Sequence, residues 1–86
     1  MNVPGEVART VHEGGALVLE IRQGSGCPVV REAKDGKRAS EVEWMLEGFT
    51  PRAAWLLLDN YLEPFGYAAR RRGDGTWLWE RERSAR

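Results

Sequence analysis

The sequence predicts a single α+β domain over residues 1–86, a two-layer sandwich with a mixed four-stranded sheet and helices on one face. Three observations predict it: an amphipathic helical segment near residues 51–63, the apolar–polar alternation of strands at residues 16–22 and 41–47, and a glycine-rich turn at residues 73–75. The predicted order is β, short α, β, α, β, β, with an extra N-terminal strand or arm.

The N-terminal part is predicted to form strands. Residues 5–12 are weakly predicted as a strand, and the Gly-Gly pair at residues 14–15 is typical of a hairpin turn. Residues 16–22 form a predicted strand whose large apolar residues share one face at period two. Gly24 and Gly26 then end that strand.

Residues 28–38 leave two structures open. The valines at residues 29–30 and Ala33 fit one face of a short helix, and Pro28 suits its first position. A strand that leads into an Asp-Gly turn at residues 35–36 fits as well. We favour the helix because of the family resemblance described below.

Residues 41–47 alternate between an apolar and an acidic face. The apolar face holds Val42, Trp44 and Leu46, and the acidic face holds Glu41, Glu43 and Glu47. Ser40 and Glu43 could instead form a capping box that opens a helix. We predict a half-buried strand, because a helix would leave Trp44 without apolar neighbours on its face.

The clearest element is a helix from about Pro51 to Glu63, with Thr50 as N-cap. Its apolar residues follow the i, i+3, i+4 spacing of a core-facing stripe. The expected core contains Leu57, Leu58, Tyr61 and Leu62, packed over Trp44, Trp77 and Trp79. Trp55 and Leu56 fall on the outer face, and exposed apolar side chains of this size are typical of a protein interface.

A closing hairpin is predicted from Tyr67–Arg72 and Thr76–Glu82. The arginines at 70–72 beside Trp77 and Trp79 have the residue types that hold phosphates and stack on bases. Alternation places Arg71 opposite its two neighbours, however, and the indoles are needed for the core. We therefore predict a solvated hairpin and not a nucleic-acid site.

Composition excludes several functions. Thirteen basic and thirteen acidic residues leave no net charge to attract nucleic acid or membrane. One cysteine cannot form an internal disulfide, and His12 is the only histidine, so neither a zinc site nor a histidine-based catalytic site is predicted. We expect a cytoplasmic protein without cofactor or metal that is not a self-sufficient enzyme.

Cys27 is the sharpest candidate for chemistry. It follows a strand and a glycine turn, and it directly precedes Pro28. If Pro28 begins a helix, Cys27 is its N-cap, where free N–H groups and the helix dipole favour a thiolate. The alternative is a small buried apolar group, which is how lone cysteines usually behave.

Residues 17–83 resemble the TusA/SirA-like family of small sulfur carriers. The segment from Leu19 to Pro28 is similar to the family's strand–glycine–Cys-Pro opening, residues 50–52 look like the start of its second helix, and residues 66–79 resemble its final hairpin. The chain departs from the family at Val30, where a second proline is usual.

The resemblance implies a βαβαββ fold and a sulfur carrier rather than an enzyme. Cys27 would hold a persulfide received from a donor protein and pass it to an acceptor protein. Pro28 would fix the helix start, and Gly24 and Gly26 would leave room for the cysteine of the donor or acceptor to approach.

The alternative function is a non-catalytic binding module. One form is a winged-helix DNA binder, with helices at residues 40–48 and 51–64 and a wing at residues 67–82. The other is a protein–protein adaptor. Secondary structure at residues 28–38 discriminates, since a helix favours the carrier and a hairpin strand favours the module.

Overall fold

A computed structural model describes residues 3–34 and 37–82 of the chain. Two helices, one 3-10 turn and five strands follow one another in this order: α1 (Gly5–His12), β1 (Ala16–Ile21), β2 (Pro28–Lys34), β3 (Lys37–Met45), α2 (Pro51–Leu62), the 3-10 turn (Glu63–Phe65), β4 (Tyr67–Arg71) and β5 (Trp77–Arg81). Neither helix in this part of the chain is long and apolar enough to cross a membrane.

The strands form one antiparallel sheet in the order β3-β2-β1-β5-β4. The predicted α+β class is confirmed. The predicted mixed four-stranded sheet is wrong. The segment predicted as an extra N-terminal strand is a helix, and the segment predicted as the first helix is a strand.

The central strand β1 joins the two halves of the sheet. It pairs with β2 along its whole length from Ala16 to Ile21. On its other side it pairs with β5, where Leu17 lies opposite Trp79 and Leu19 lies opposite Trp77. Residues distant in the sequence therefore share one sheet face, as directly opposed side chains do.

Both helices cover the same face of the sheet, because both contribute to one core. That core contains Val7 and Val11 of α1, Ala54, Leu58 and Leu62 of α2, and Leu17, Leu19, Val30 and Trp79 of the sheet. The opposite face carries a smaller cluster of Val18, Ala33 and Leu78. Ion pairs from Arg31 to Glu20 and Glu43 lie beside that cluster.

Helix α2 confirms its predicted start. The Thr50 hydroxyl accepts a hydrogen bond from the Ala53 N–H at 3.1 Å, and Pro51 takes the first helical position. Leu58 and Leu62 are fully buried, as predicted. After the 3-10 turn, Gly66 adopts a left-handed φ of 86°, which ends the helical segment.

Helix α1 replaces the predicted strand at residues 5–12. Val7 and Val11 are both buried. Their separation of four residues is close to one helical turn, but it is also a multiple of the strand period, so the pair fits either structure. The helix begins directly after Pro4, which needs no N–H at a helix start.

Strand β2 replaces the predicted short helix at residues 28–38. It lies between β1 and β3 and is hydrogen-bonded on both sides. Val29 and Val30 are adjacent and both fully buried, so they point to opposite faces of the sheet. A strand buried on both faces lacks alternation, which made it resemble a short helix. The predicted turn at residues 35–36 lies outside the described residues.

Strand β3 confirms the prediction for residues 41–47. Val42 and Leu46 are buried, whereas Glu43 and Glu47 are exposed. The side chain of Glu41 lies outside the described residues. Because this segment is a strand, the helix that a winged-helix fold needs at residues 40–48 is absent, and that alternative is wrong.

Tyr67 and Arg81 attach the end of α1 to the sheet. The Tyr67 hydroxyl donates a hydrogen bond to the Gly15 carbonyl at 2.7 Å. The Arg81 guanidinium donates to the Val11 carbonyl at 3.2 Å and lies over the Tyr67 ring. These donors satisfy carbonyl groups near the helix end that have no partner within the helix.

We expect Leu58→Ala to lower the free energy of unfolding by about 2–5 kcal/mol, through lost apolar transfer and the remaining cavity. Leu58 is fully buried, whereas Leu56 is 42% exposed. The matched Leu56→Ala variant should therefore lose less than about 1 kcal/mol. Denaturant unfolding monitored by tryptophan fluorescence measures both, and equal losses would contradict the assigned core face.

Tyr67 should give stability a distinctive alkaline pH dependence. Burial raises the pKa of Tyr67 above its ordinary value of 10.0, although Arg81 opposes the shift. The stability contributed by the neutral phenol is complete below pH 10 and is lost as the pH rises through the raised pKa. At neutral pH the free energy of unfolding of wild type should exceed that of Tyr67→Phe by about 1–3 kcal/mol. Denaturant unfolding of both across the alkaline range should show this difference shrinking, and a constant difference would contradict it.

Candidate functional site

The β1–β2 turn carries the residues that the sequence singled out around Cys27. The Arg22 N–H donates to the Cys27 carbonyl, and the Gly26 N–H donates to the Arg22 carbonyl, each at 2.9 Å. Gly24 and Gly26 have φ angles of 91° and 73°. Glycine is needed at both positions because side chains disfavour this left-handed conformation.

Cys27 does not lie at a helix N-terminus, because Pro28 begins strand β2 and pairs with Ile21. The thiol is half-buried and donates a weak hydrogen bond to the Pro28 carbonyl at 3.5 Å. The Cys27 N–H donates to the Ser25 hydroxyl at 3.2 Å. The helix-dipole activation predicted for this thiol is therefore wrong.

The other candidates for chemistry are dispersed. His12 is exposed in the last turn of α1. Arg70 pairs with Glu80 at 2.8 Å, and Trp79 is fully buried beneath α2, so these groups do not form the phosphate-and-stacking surface considered from the sequence. No group of three or more His, Cys, Asp or Glu residues in the described part of the chain could hold a metal ion.

A groove of about 510 Å³ lies between the N-terminal half of α2 and the sheet, and we call it the α2 groove. Residues from four parts of the fold line it: Leu19 and Ile21 of β1, Pro51, Arg52, Trp55 and Leu56 of α2, Arg71 of β4, and Gly75 and Trp77 at the β5 end of the hairpin. Its volume falls in the range of ligand-binding clefts.

Aromatic side chains form the inner wall of the α2 groove. Trp55 packs edge-on against Trp77, with ring centroids 5.4 Å apart, and also contacts Trp79 at 5.8 Å. Trp55 is thus half-buried between helix and sheet, which corrects its predicted place on the outer face. The Trp79 indole N–H donates to Asp59 at 3.2 Å and ties β5 to α2.

The edges of the α2 groove are exposed and apolar. Ile21 is 44% exposed at the end of β1, and Leu56 is 42% exposed on α2. Leu56 is therefore on the outer side of the helix, as the sequence predicted. Ile21 shares its sheet face with Leu17 and Leu19 by strand alternation, and it extends that face beyond the part that the helices cover.

The described residues that line the α2 groove include no His, Cys, Asp, Glu, Ser, Thr, Tyr or Lys. A general acid, a general base or a nucleophile usually comes from these residue types. The groove therefore offers apolar contact and two guanidinium groups.

Comparisons of the chain with models of known protein families, with curated proteins and with solved structures find no match. They bear neither on the resemblance to sulfur carriers nor on the binding-module alternative. The function is therefore argued from the geometry of the described residues.

The sequence identified two of the nine described residues that line the groove as binding candidates. It selected Trp55 and Leu56, but it placed Trp77 in the core and assigned no role to Ile21 or Arg71. The missing signal was long-range, because only the pairing of β1 with β5 brings Leu19 beside Trp77.

The β1–β2 turn gives a test with a matched control. Gly26→Ala should lower the free energy of unfolding by about 1–2 kcal/mol, because alanine is strained in the left-handed region. Gly73 also has open space around it but has no positive φ. Gly73→Ala should therefore be neutral or stabilise by up to about 1 kcal/mol. Thermal unfolding of both variants separates the two effects, and equal destabilisation would contradict the turn geometry.

Proposed function

We propose that this protein is a non-catalytic module that binds a protein partner through the α2 groove. The observation that carries the proposal is an aromatic groove with exposed apolar edges and no reactive side chain among its described residues. Aromatic residues are enriched in the centres of protein interfaces, where a few buried anchors supply most of the affinity.

Contacts within the chain hold both walls of the groove in place without a partner. Thr50 caps the helix that forms one wall, and the Asp59–Trp79 hydrogen bond holds that helix against β5. The opposite wall is continuous antiparallel sheet. A partner would lose little affinity to ordering of the backbone, because both walls of the groove are held by these contacts.

The exposed apolar edges of the groove would contribute to the affinity for a partner. Ile21 and Leu56 each leave more than two fifths of their surface in water. Burial of such side chains contributes about 25 cal/mol for each Å² of apolar surface removed from water. Both side chains lie beside the indoles, so a single apolar group of the partner could contact edge and wall together.

Of the two forms of the binding-module alternative, the adaptor is the one that the fold supports, since residues 28–34 form a hairpin strand and the winged-helix form is wrong. The sulfur-carrier hypothesis stays a prediction from the sequence. It has lost the helix N-terminus on which the reactivity of Cys27 was argued. The cytoplasmic location also stays a prediction from the sequence.

Selection from a displayed library of random peptides tests the proposal. Peptides of about twelve residues are long enough to span an interface groove of this kind. We expect peptides that bind wild type and change the tryptophan fluorescence. Their affinity should fall about tenfold or more in Ile21→Gln/Leu56→Gln, because two apolar contacts are lost.

Phe65→Gln is the matched control, because Phe65 is 44% exposed but does not line the groove. Its affinity for the same peptides should stay within about twofold of wild type, as for a surface change away from the site. Failure to enrich any peptide, or equal binding by wild type and the Ile21/Leu56 variant, would contradict the proposed function. Circular dichroism confirms that each variant is folded.

A further inference from the structure

Two arginines flank the α2 groove from opposite sides. Arg52 lies in the first turn of α2, and Arg71 lies at the end of β4 opposite Trp77. Both are exposed, and neither has an ion pair or side-chain hydrogen bond with another described residue. Both are therefore available to an incoming anion.

Three other arginines have carboxylate partners among the described residues. Arg22 and Arg31 both contact Glu43, and Arg70 contacts Glu80. The difference between neighbours is sharpest on β4, where alternation sends Arg70 to its ion pair on one face and Arg71 to the groove on the other. Among the described residues, Arg71 thus lacks the carboxylate partner that its neighbour Arg70 has.

No acidic side chain lines the described part of the groove. The first turn of α2 contains no Asp or Glu, and the positive end of the helix dipole adds to the charge of Arg52. Asp74 lies in the adjacent turn, but its carboxylate accepts hydrogen bonds from the Thr76 hydroxyl at 2.6 Å and from the Thr76 N–H at 3.0 Å. These bonds and the charge of Arg72 lower the pKa of Asp74, whose carboxylate lies beside the groove and does not line it.

We infer that the partner segment is acidic and carries an apolar anchor residue. This inference rests on the proposed function and specifies its ligand. The anchor contacts the wall formed by Trp55 and Trp77 and the exposed edges of the groove. Carboxylates on either side of the anchor pair with Arg52 and Arg71, an arrangement in which guanidinium groups bind carboxylates with good geometry.

A peptide fits these charges better than a nucleic acid does. A nucleic acid carries a phosphate at every nucleotide and is normally held by a track of cations. Here the chain has no net positive charge, and the neighbouring Arg70 is already paired with Glu80. Two separated cations around one apolar wall match a short segment with two acidic positions.

The test uses peptides selected from the same displayed library on the full chain. Acidic residues should be enriched beside an aromatic or aliphatic residue. For each selected peptide, an analogue with Gln in place of every Glu and Asn in place of every Asp should bind wild type about tenfold more weakly at low salt, the combined effect expected of two exposed ion pairs. Added salt should reduce this ratio, because it screens exposed charges.

Charge-matched variants locate the effect. Arg52→Gln and Arg71→Gln should each reduce the acidic-to-amide affinity ratio, and the double variant should bring it to about one, since both ion pairs are then absent. Arg70→Gln removes the same charge from the adjacent residue on the opposite face. It should leave the ratio within about twofold of wild type.

Each contrary outcome has a distinct meaning. If peptides bind through Ile21 and Leu56 but their amide analogues bind equally well, the acidic partner is excluded while the proposed function stands. If no peptide is selected, both fail. If a single-stranded oligothymidine binds more tightly than any peptide and loses affinity in the Arg52/Arg71 double variant, the partner is a nucleic acid and the inference is overturned.

Discussion

The pairing of β1 with β5 is the constraint on which the rest of this structure depends. Without it the sheet would consist of a three-stranded meander and a separate hairpin, and neither would have both helices to cover it. The pairing places Leu17 opposite Trp79 and Leu19 opposite Trp77 on the face that the helices cover. It thereby creates one core from two distant parts of the chain and sets the sheet wall of the α2 groove. The apolar side chains make this register specific, since a slip by one residue would turn every one of them to the other face.

Local signals determined which elements sequence analysis could predict. Helix α2 was predicted because its cap, its first-position proline and its apolar stripe all indicate the same structure. Agreement between such independent signals is typical of a segment whose structure is well specified by its sequence. The C-terminal hairpin was predicted from its turn residues. The strand at residues 28–34 was left as an alternative to a helix, because a strand buried on both faces shows no alternation that decides between the two. Helix α1 was missed because the spacing of Val7 and Val11 suits two periods. The groove could not be predicted as a whole, because half of its wall exists only through tertiary pairing.

Trp55 illustrates how closely binding and packing are combined in a domain this small. Its ring contacts Trp77 and Trp79 in the interior, yet the same side chain lines the groove. Its indole N–H is buried without a hydrogen-bond partner among the described residues, which costs about 1–3 kcal/mol. A change at Trp55 would therefore alter stability and the proposed binding together. Ile21 and Leu56 are exposed, so their contribution to binding can be separated from the stability of the fold.

The antiparallel junction between residues 17–19 and 77–79 also has a kinetic consequence. Strands β1, β2 and β3 are consecutive, as are β4 and β5, so each group closes short loops, whereas the junction closes a loop that spans most of the chain. Loop-closure entropy delays contacts between distant residues relative to local ones. The sheet wall of the groove contains residues from both sides of this junction, so the groove exists only once this long-range contact has formed. A nascent or partly folded chain would therefore expose apolar strands without yet presenting the proposed binding surface, and the proposed recognition of a partner would begin only with the completed fold.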